Sequence, residues 1–374
     1  YIMKKHSFKD WMIAVRPWSF PASAMPVVVT LAYLFWMKED INWANGIWAL
    51  LNIVVFHAAG NTWSDYFDYK QGVDMKDTFG AKTLTDKMFT PKEIYRLSLV
   101  LLLAALVGGL GLLWRTGFPL LYIGLGGAAC ALLYPPLKYN ALGDVVIFMA
   151  YAFLPTLGTA YVSTGVFLWD VLWIAIPVGL ITVAILHANN TRDMQTDARA
   201  SIKTLAMELG GRTSVILYCA EILFPFGWIA GCVAAGTFPL WTLLVLLVLV
   251  PAVGNVRVMS RFSGKGVAAI ANLDEMTAKL QLLFSLVFAA VLWTVMFSPW
   301  TAPAVNFWWM MTGSALTLSV FATLFSPGWW REVKWSISNV LLGVGIAVAL
   351  WMIFWVGDKV STWMFDFARP QVDS

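Results

Sequence analysis

The sequence predicts an all-α protein: a polytopic bundle of transmembrane helices. Three observations carry that reading. Of 374 residues, 60% are hydrophobic and only 12% charged, about half the charged share of an ordinary soluble domain. The mean hydropathy is +0.73. The apolar residues gather into eleven runs close to the roughly 20 residues that cross a bilayer. These runs lack the apolar/polar alternation of a membrane β-barrel. Helix is what remains, because backbone groups in lipid must be satisfied within the segment. The same composition excludes a soluble globular enzyme, a disordered chain and a secreted disulfide scaffold.

In chain order the runs lie near 18–37, 43–63, 96–114, 117–134, 145–166, 168–188, 213–236, 238–256, 278–298, 303–325 and 337–356. Lys4, Lys5 and Lys9 precede the first, and no small-residue cleavage site follows it. It therefore reads as a retained span rather than a signal peptide. Pro155, Pro177 and Pro225 fall inside runs, where membrane helices tolerate kinks or line cavities. Cys130, Cys219 and Cys232 also sit in apolar runs without metal or pairing patterns, as small buried hydrophobes do. A net charge of +4 is too small to argue for nucleic acid.

The basic residues orient the bundle. The N-terminal tail and the even-numbered connections hold 21 of the 25 Lys and Arg. Lys38, Arg115, Lys359 and Arg369 make up the other side. Positive charge stays inside, so the N-terminus and the even-numbered connections are expected in the cytoplasm. An odd number of spans then places the C-terminus outside.

Most connections are short. Two cytoplasmic ones, 64–95 and 189–212, are long and polar, and a third, 257–277, is basic. Long ordered loops on a tight bundle tend to carry function. The first opens with Asn61, Asp65 and Asp68 at i, i+4, i+7, one face of a continuing helix. Gly72 is placed to end that helix and return Asp74 to the cluster. The second carries Asn190, Asp193 and Asp197 at i, i+3, i+7. This likeness suggests a weak internal repeat.

Two acidic faces at one membrane surface repel unless a divalent cation lies between them. Hard oxygen ligands on opposing helices suit Mg²⁺, which shares phosphate oxygens with a substrate. The interleaved Lys70, Lys76, Arg192 and Lys203 would meet the remaining phosphate charge. The pattern describes a diphosphate site. Two other readings stand beside it: a solvated loop face, and a cation-transport site, although transport carboxylates sit mid-membrane more often than at helix ends.

With these residues the chain resembles the UbiA superfamily of intramembrane prenyltransferases, nine-helix bundles with aspartate-rich motifs after the second and sixth helices. Within it the sequence looks most like the 1,4-dihydroxy-2-naphthoate polyprenyltransferases of menaquinone synthesis. The residues that carry the likeness are Arg16-Pro-Trp-Ser-Phe, Asn61-x3-Asp65-Tyr-Phe-Asp68 with Gly72-x-Asp74, Tyr134-Pro-Pro-Leu-Lys138-Tyr139-x-x-Leu-Gly143-Asp144, and Asn189-Asn190-x-Arg192-Asp193-x3-Asp197 with Lys203-Thr-Leu. It covers roughly residues 10–298. Ser64 stands where the naphthoate branch usually has Asn, and Gly80-Ala81-Lys82 where a Gly-Pro-x-Arg type sequence is common. The last two runs have no counterpart in a nine-helix core. The expected organisation is thus a transmembrane prenyltransferase domain over 1–300 and an extension over 301–374 with two further spans.

The resemblance implies transfer of a polyprenyl chain from its diphosphate to an aromatic acceptor. With dihydroxynaphthoate the ring loses its carboxylate and the product is demethylmenaquinone. Other acceptors open to the same chemistry are a hydroxybenzoate, a chlorin, haem or a lipid alcohol. It also implies a multi-pass protein of a bacterial cell membrane with its active-site loops in the cytoplasm. Asp65, Asp68, Asp193 and Asp197 become the catalytic Mg²⁺ ligands, with Asp74 beside them, and Lys138 and Tyr139 join the catalytic set. Arg16, Asn61, Lys70, Asn190, Arg192, Lys203 and Tyr134 become candidates for the diphosphate. Arg16 and Lys138 also fit topology anchors. Tyr134 and Tyr139 fit either cation–π stabilisation of an allylic cation or an interfacial aromatic belt. Asp144 is placed to orient the acceptor or Lys138. His57 and His187 are expected in packing roles. Glu221 lies inside a span, where a carboxylate needs a cavity or a polar partner.

Overall fold

A computed structural model describes residues 6–70, 72, 83–138, 140–199 and 203–295. Asp74, Tyr139 and the last two predicted spans lie outside the described residues. By its internal contacts the chain divides between Leu292 and Trp293, and the description concerns the first unit together with the residues that complete its last helix.

The described residues are helical, joined by short turns. Helix α1 (Phe8–Val15) starts on a capping box, Ser7 and Asp10 each bonding the other's backbone N–H, which satisfies two otherwise orphaned donors. It ends at Arg16 in the left-handed region, φ 55°. Pro17 and Pro21 then open a 3-10 turn and helix α2 (Pro21–Trp36), bent 54° from α1. Helix α3 (Trp43–Lys70) is one unbroken rod of 28 residues, longer than a bilayer needs. Helix α4 (Pro91–Thr116) has Pro at its first position and a Thr90/Glu93 capping box. Helix α5 (Leu120–Lys138) returns the chain.

The fifth span joins α6 (Gly143–Phe148) to α7 (Leu154–Thr164) through a π-turn, Met149–Phe153. Pro155 supplies no N–H, so the α-ladder is already broken there. Helix α8 (Leu172–Arg192) is followed by the short α9 (Met194–Arg199) and by α10 (Leu205–Ala234), which breaks at Gly210. A 3-10 stretch, Leu240–Val248, runs into α11 (Leu249–Ser260). The turn α12 (Phe262–Lys265) and helix α13 (Leu273–Val295) follow.

Among the described residues seven helical segments are long and apolar enough to cross a membrane, and the bent pair α1–α2 makes eight. The remaining predicted span of the core is the shorter apolar segment Leu120–Ala131 of α5. The spans alternate in direction, and contacts at both ends agree. On one side Asn42 N–H donates to the Ser163 carbonyl at 2.7 Å, and Arg115 Nε donates to Asn45 at 2.8 Å. On the other, Asn140 and Lys203 form a backbone bridge.

Helix α8 is central, with 67% of its apolar window buried, whereas α4 has 17% and turns Leu103, Val107, Leu110 and Trp114 outward. That outward face is the expected lipid surface. The core gathers Ile181, Tyr218, Ile222, Phe284 and Phe288 from α8, α10 and α13. Close approach needs small residues. A Cβ on Gly179 of α8 would meet the Cβ of Ala152 at 2.5 Å and the Phe148 ring at 2.7 Å, so glycine is required where α8 crosses the π-turn.

Candidate active site

The site lies at the end of the bundle where α3, α5 and α8 finish. The first motif keeps its predicted helical face, because α3 continues without a break to Lys70. Asn61 and Asp68 are half-buried there, Asp65 is buried, and Lys70 is exposed. Gly72 then adopts φ +73° and its N–H bonds the Tyr69 carbonyl, a left-handed stop of the kind glycine allows at lowest cost.

Arg16 caps this face from the α1–α2 break. Its guanidinium Nη2 donates to the Asn61 carbonyl at 3.1 Å and pairs with Asp65 Oδ1. Asn61 Nδ2 in turn donates to the Val15 carbonyl at 3.0 Å and to Ser19 Oγ at 2.9 Å. A non-glycine residue held left-handed costs about 1–2 kcal/mol, and this set of bonds supplies the restraint. Asp65 Oδ2 is buried without a hydrogen-bond partner among the described residues. A buried carboxylate oxygen of that kind fits a cation. Ser64 Oγ donates to Asp68 Oδ2 at 2.9 Å, which fixes the second carboxylate from one turn behind.

The second motif departs from a continuous helix. Helix α8 ends at Arg192, Asp193 is its cap with φ −93° and ψ 7°, and α9 begins at Met194. Asp193 is gripped by its neighbour: Arg192 Nε and Nη2 each donate to one of its oxygens at 2.9 Å. Arg192 Nη1 also donates to Asp274 at 2.6 Å and to the Ala271 carbonyl at 3.2 Å, and Nη2 to Asn189 at 3.1 Å. The guanidinium is thus a positioning group for Asp193, anchored to the start of α13. Asn190 is buried one turn before Asp193.

Asp197 joins the two motifs. Burial pushes its carboxyl up to about 6; Lys138 pulls the other way, Asp193 and Asp68 add to the rise, and Arg192 opposes it. Those four charged groups lie close enough to act on one carboxyl. Lys138 is placed over the Tyr134 ring at 6.0 Å, and Lys70 over Tyr66 at 5.8 Å. Lys203 is exposed, and its backbone bonds the α5–α6 turn through Ala141 N–H at 3.0 Å. The structure therefore brings Arg16, Asn61, Asp65 and Asp68 together, and Lys138, Arg192, Asp193 and Asp197 together, with Asp68 within electrostatic reach of the second group.

The sequence matches the UbiA prenyltransferase family over residues 24–273. The chain belongs to that family. Among similar proteins, the UbiA prenyltransferase domain-containing protein 1 homolog of Drosophila melanogaster is 32% identical over 290 residues, covering 75% of this chain and 78% of the relative. The protein of that name from Gallus gallus is 32% identical over 282 residues, covering 74% and 82%. Solved structures show the same fold. The UbiA homolog from Archaeoglobus fulgidus bound to GPP and Mg²⁺ aligns with a TM-score of 0.54 at 14% identity, over 76% of this chain and 99% of that one. Digeranylgeranylglyceryl phosphate synthase aligns with a TM-score of 0.53 at 16% identity, over 76% and 98%.

Sequence reasoning did not find three features of this UbiA-family site. Asp274 supports the second motif from 82 residues away. The Arg16–Asp65 pair spans 49 residues. His187, expected in a packing role, stands between two carboxylates: its Nδ1 lies 3.2 Å from Asp144 Oδ2, and Glu221 completes a buried cluster with it. The lone intramembrane Glu221 was the available signal, but no spacing rule pairs it with His187.

Proposed function

We propose that this protein transfers a polyprenyl chain from polyprenyl diphosphate to 1,4-dihydroxy-2-naphthoate. The allylic C–O bond breaks and diphosphate leaves. A ring carbon bonds the prenyl C1, and the ring carboxylate departs as CO₂, giving the demethylmenaquinone skeleton in its quinol form. The observation that carries the diphosphate chemistry is the pair of carboxylate motifs with their basic partners at one end of the bundle, Asp65 paired with Arg16 and Asp68 held by Ser64 in the first, Asp193 held by Arg192 in the second. Two acidic motifs that share one end of the bundle suit a divalent cation between them. The acceptor rests on the naphthoate-type motifs of the sequence, since the family is compatible with several acceptors.

The residues divide the work by position. Asp65, Asp68, Asp193 and Asp197 would hold Mg²⁺, with Asp74 beside them. When bound, the ion would neutralise diphosphate charge and so stabilise the leaving group. Ser64 and Arg192 hold Asp68 and Asp193 in aim. Lys138, Lys70, Lys203 and Arg16 supply positive charge to the diphosphate, and Asn61 and Asn190 support the carboxylates. Tyr134 and Tyr139 offer ring faces to the allylic cation. The apolar helices of the bundle keep water from it.

The test is a reconstitution of the purified full chain with Mg²⁺, polyprenyl diphosphate and a panel of aromatic and lipid acceptors, read by product mass. A prenylated naphthoquinol is expected, with kcat at least 100-fold lower in Asp68→Asn and in Asp193→Asn. A prenylated product on another acceptor alone would overturn the naphthoate assignment and keep the diphosphate chemistry. Solute movement in vesicles without diphosphate, and no transfer to any acceptor, would point to a cation-coupled transporter instead.

A further inference from the structure

Behind the diphosphate site, three helices bring one ionisable side chain each to a single buried point. They are Asp144 at the start of α6, His187 on α8 and Glu221 on α10. One ligand atom from each lies within 4.8 Å of the other two. The residues are 6%, 0% and 6% exposed. None belongs to the two aspartate motifs. His187 precedes Asp193 by six residues, about 9 Å along a helix.

The hydrogen bonds around His187 define what can occupy this point. Its Nε2 faces the Ser214 carbonyl at 3.2 Å. A carbonyl only accepts, so Nε2 carries the proton. Nδ1 faces Asp144 Oδ2, also at 3.2 Å. In the neutral ring Nδ1 presents a lone pair to a carboxylate lone pair, so either a proton or a metal cation lies between them. Asp144 Oδ1 and Glu221 Oε2 are buried without hydrogen-bond partners among the described residues. The charged neighbours acting on Glu221 are His187 and Asp144. A second proton on His187 would balance one carboxylate and leave the other to hold its own proton. A divalent ion balances both.

We infer that Asp144, His187 and Glu221 form a second metal site, distinct from the diphosphate site, for a transition-metal cation of the Zn²⁺ class. One imidazole and two carboxylates are the donors such ions prefer, whereas Mg²⁺ favours an all-oxygen shell. The 3.2 Å between Nδ1 and Oδ2 is the separation of neighbouring ligands about an ion with bonds near 2.1 Å. The Nε2–H bond to Ser214 is the outer contact that fixes the ring of a metal-bound histidine. The ion fastens α6, α8 and α10 beneath the carboxylate motifs, so its role is structural.

The experiment uses the full chain in detergent, stripped with chelator and then supplied with Zn²⁺ in the presence of excess Mg²⁺. Wild type and Asp68→Asn are expected to retain one equivalent of Zn²⁺ through gel filtration. Glu221→Gln and His187→Gln are expected to bind at least tenfold more weakly. Zn²⁺ should raise the Tm of wild type and leave that of Glu221→Gln unchanged. Should the variants fail to fold, X-ray absorption of the wild-type Zn²⁺ form decides alone: one nitrogen with oxygens supports the site, and an all-oxygen or sulfur-containing shell overturns it. No retained Zn²⁺ in wild type, or equal retention in folded Glu221→Gln and His187→Gln, also overturns it, and the cluster is then a histidine–carboxylate proton network.

Discussion

Arg192 and Asp197 illustrate how single side chains set the chemistry of this surface. The Arg192 fork holds both oxygens of Asp193 and reaches Asp274 at the same time, a task that needs a planar, five-donor group. Lysine preserves the charge but not the fork. Arg192→Lys is therefore expected to lower kcat at least tenfold while the protein still folds and purifies as wild type; wild-type turnover in that variant would remove the positioning role. Asp197 makes a pH prediction. A carboxyl raised to about 6 is protonated below that pH and cannot ligate a metal, so Mg²⁺ affinity should fall as pH drops through about 6. The effect on folding has the opposite sign. Between the ordinary carboxylate range and about 6 the folded chain keeps a proton that the unfolded chain has lost, so this group's contribution to stability declines as pH rises across that window. Titrating a paramagnetic Mg²⁺ surrogate such as Mn²⁺ at several pH values checks the first statement, and Asp197→Asn should flatten the dependence.

Helices place these groups through two local devices. The first is continuity: α3 overruns the bilayer and carries Asp65 and Asp68 out on a rigid rod, while α8 stops at Arg192 so that Asp193 can turn toward it. The second is close packing at glycine. Gly179 faces Ala152, whose Cβ is fixed to the backbone and cannot swing aside. Gly179→Ala should destabilise the protein by about 1–3 kcal/mol, read as a lower Tm in detergent, and Ala152→Gly in the same chain should recover part of the loss. A wild-type Tm in the single variant would show that α8 and the π-turn separate freely. By contrast the Cβ of a Gly108 variant would meet the Asn52 side-chain amide, which can rotate away, and would only touch Trp48 Nε1 at 3.5 Å.

At the scale of the whole molecule the bundle has two unlike ends. One holds both carboxylate motifs and most of the basic residues; the other holds short turns such as the one around Gly165. From the charge asymmetry we propose that the first end faces the cytoplasm. A membrane-impermeant thiol reagent should label Val166→Cys only from the outer face of oriented vesicles and Lys87→Cys only from the inner face. Both positions are exposed turns. Reversed labelling would place the active-site end outside, where a cytosolic diphosphate could not reach it.

The sequence alone determined the membrane class, the described spans and the face shared by Asn61, Asp65 and Asp68. These depend on neighbours within a few residues: lipid forces each segment to satisfy its own backbone, and helical spacing then fixes which side chains align. Spacing also placed Asn190, Asp193 and Asp197 together, although the single-residue break at Asp193 was not predictable from a pattern that suits an unbroken helix equally well. What only the tertiary structure decided is which distant groups meet. Arg16 with Asp65, Arg192 with Asp274, and Asp144 with His187 and Glu221 are joined across 49, 82 and 43 residues or comparable separations. No periodicity carries such pairings, because they follow from how whole helices pack. Burial then sharpens them: in a low-dielectric bundle an unpartnered carboxylate is costly, so the scarce intramembrane charges end up where another group of the fold can receive them.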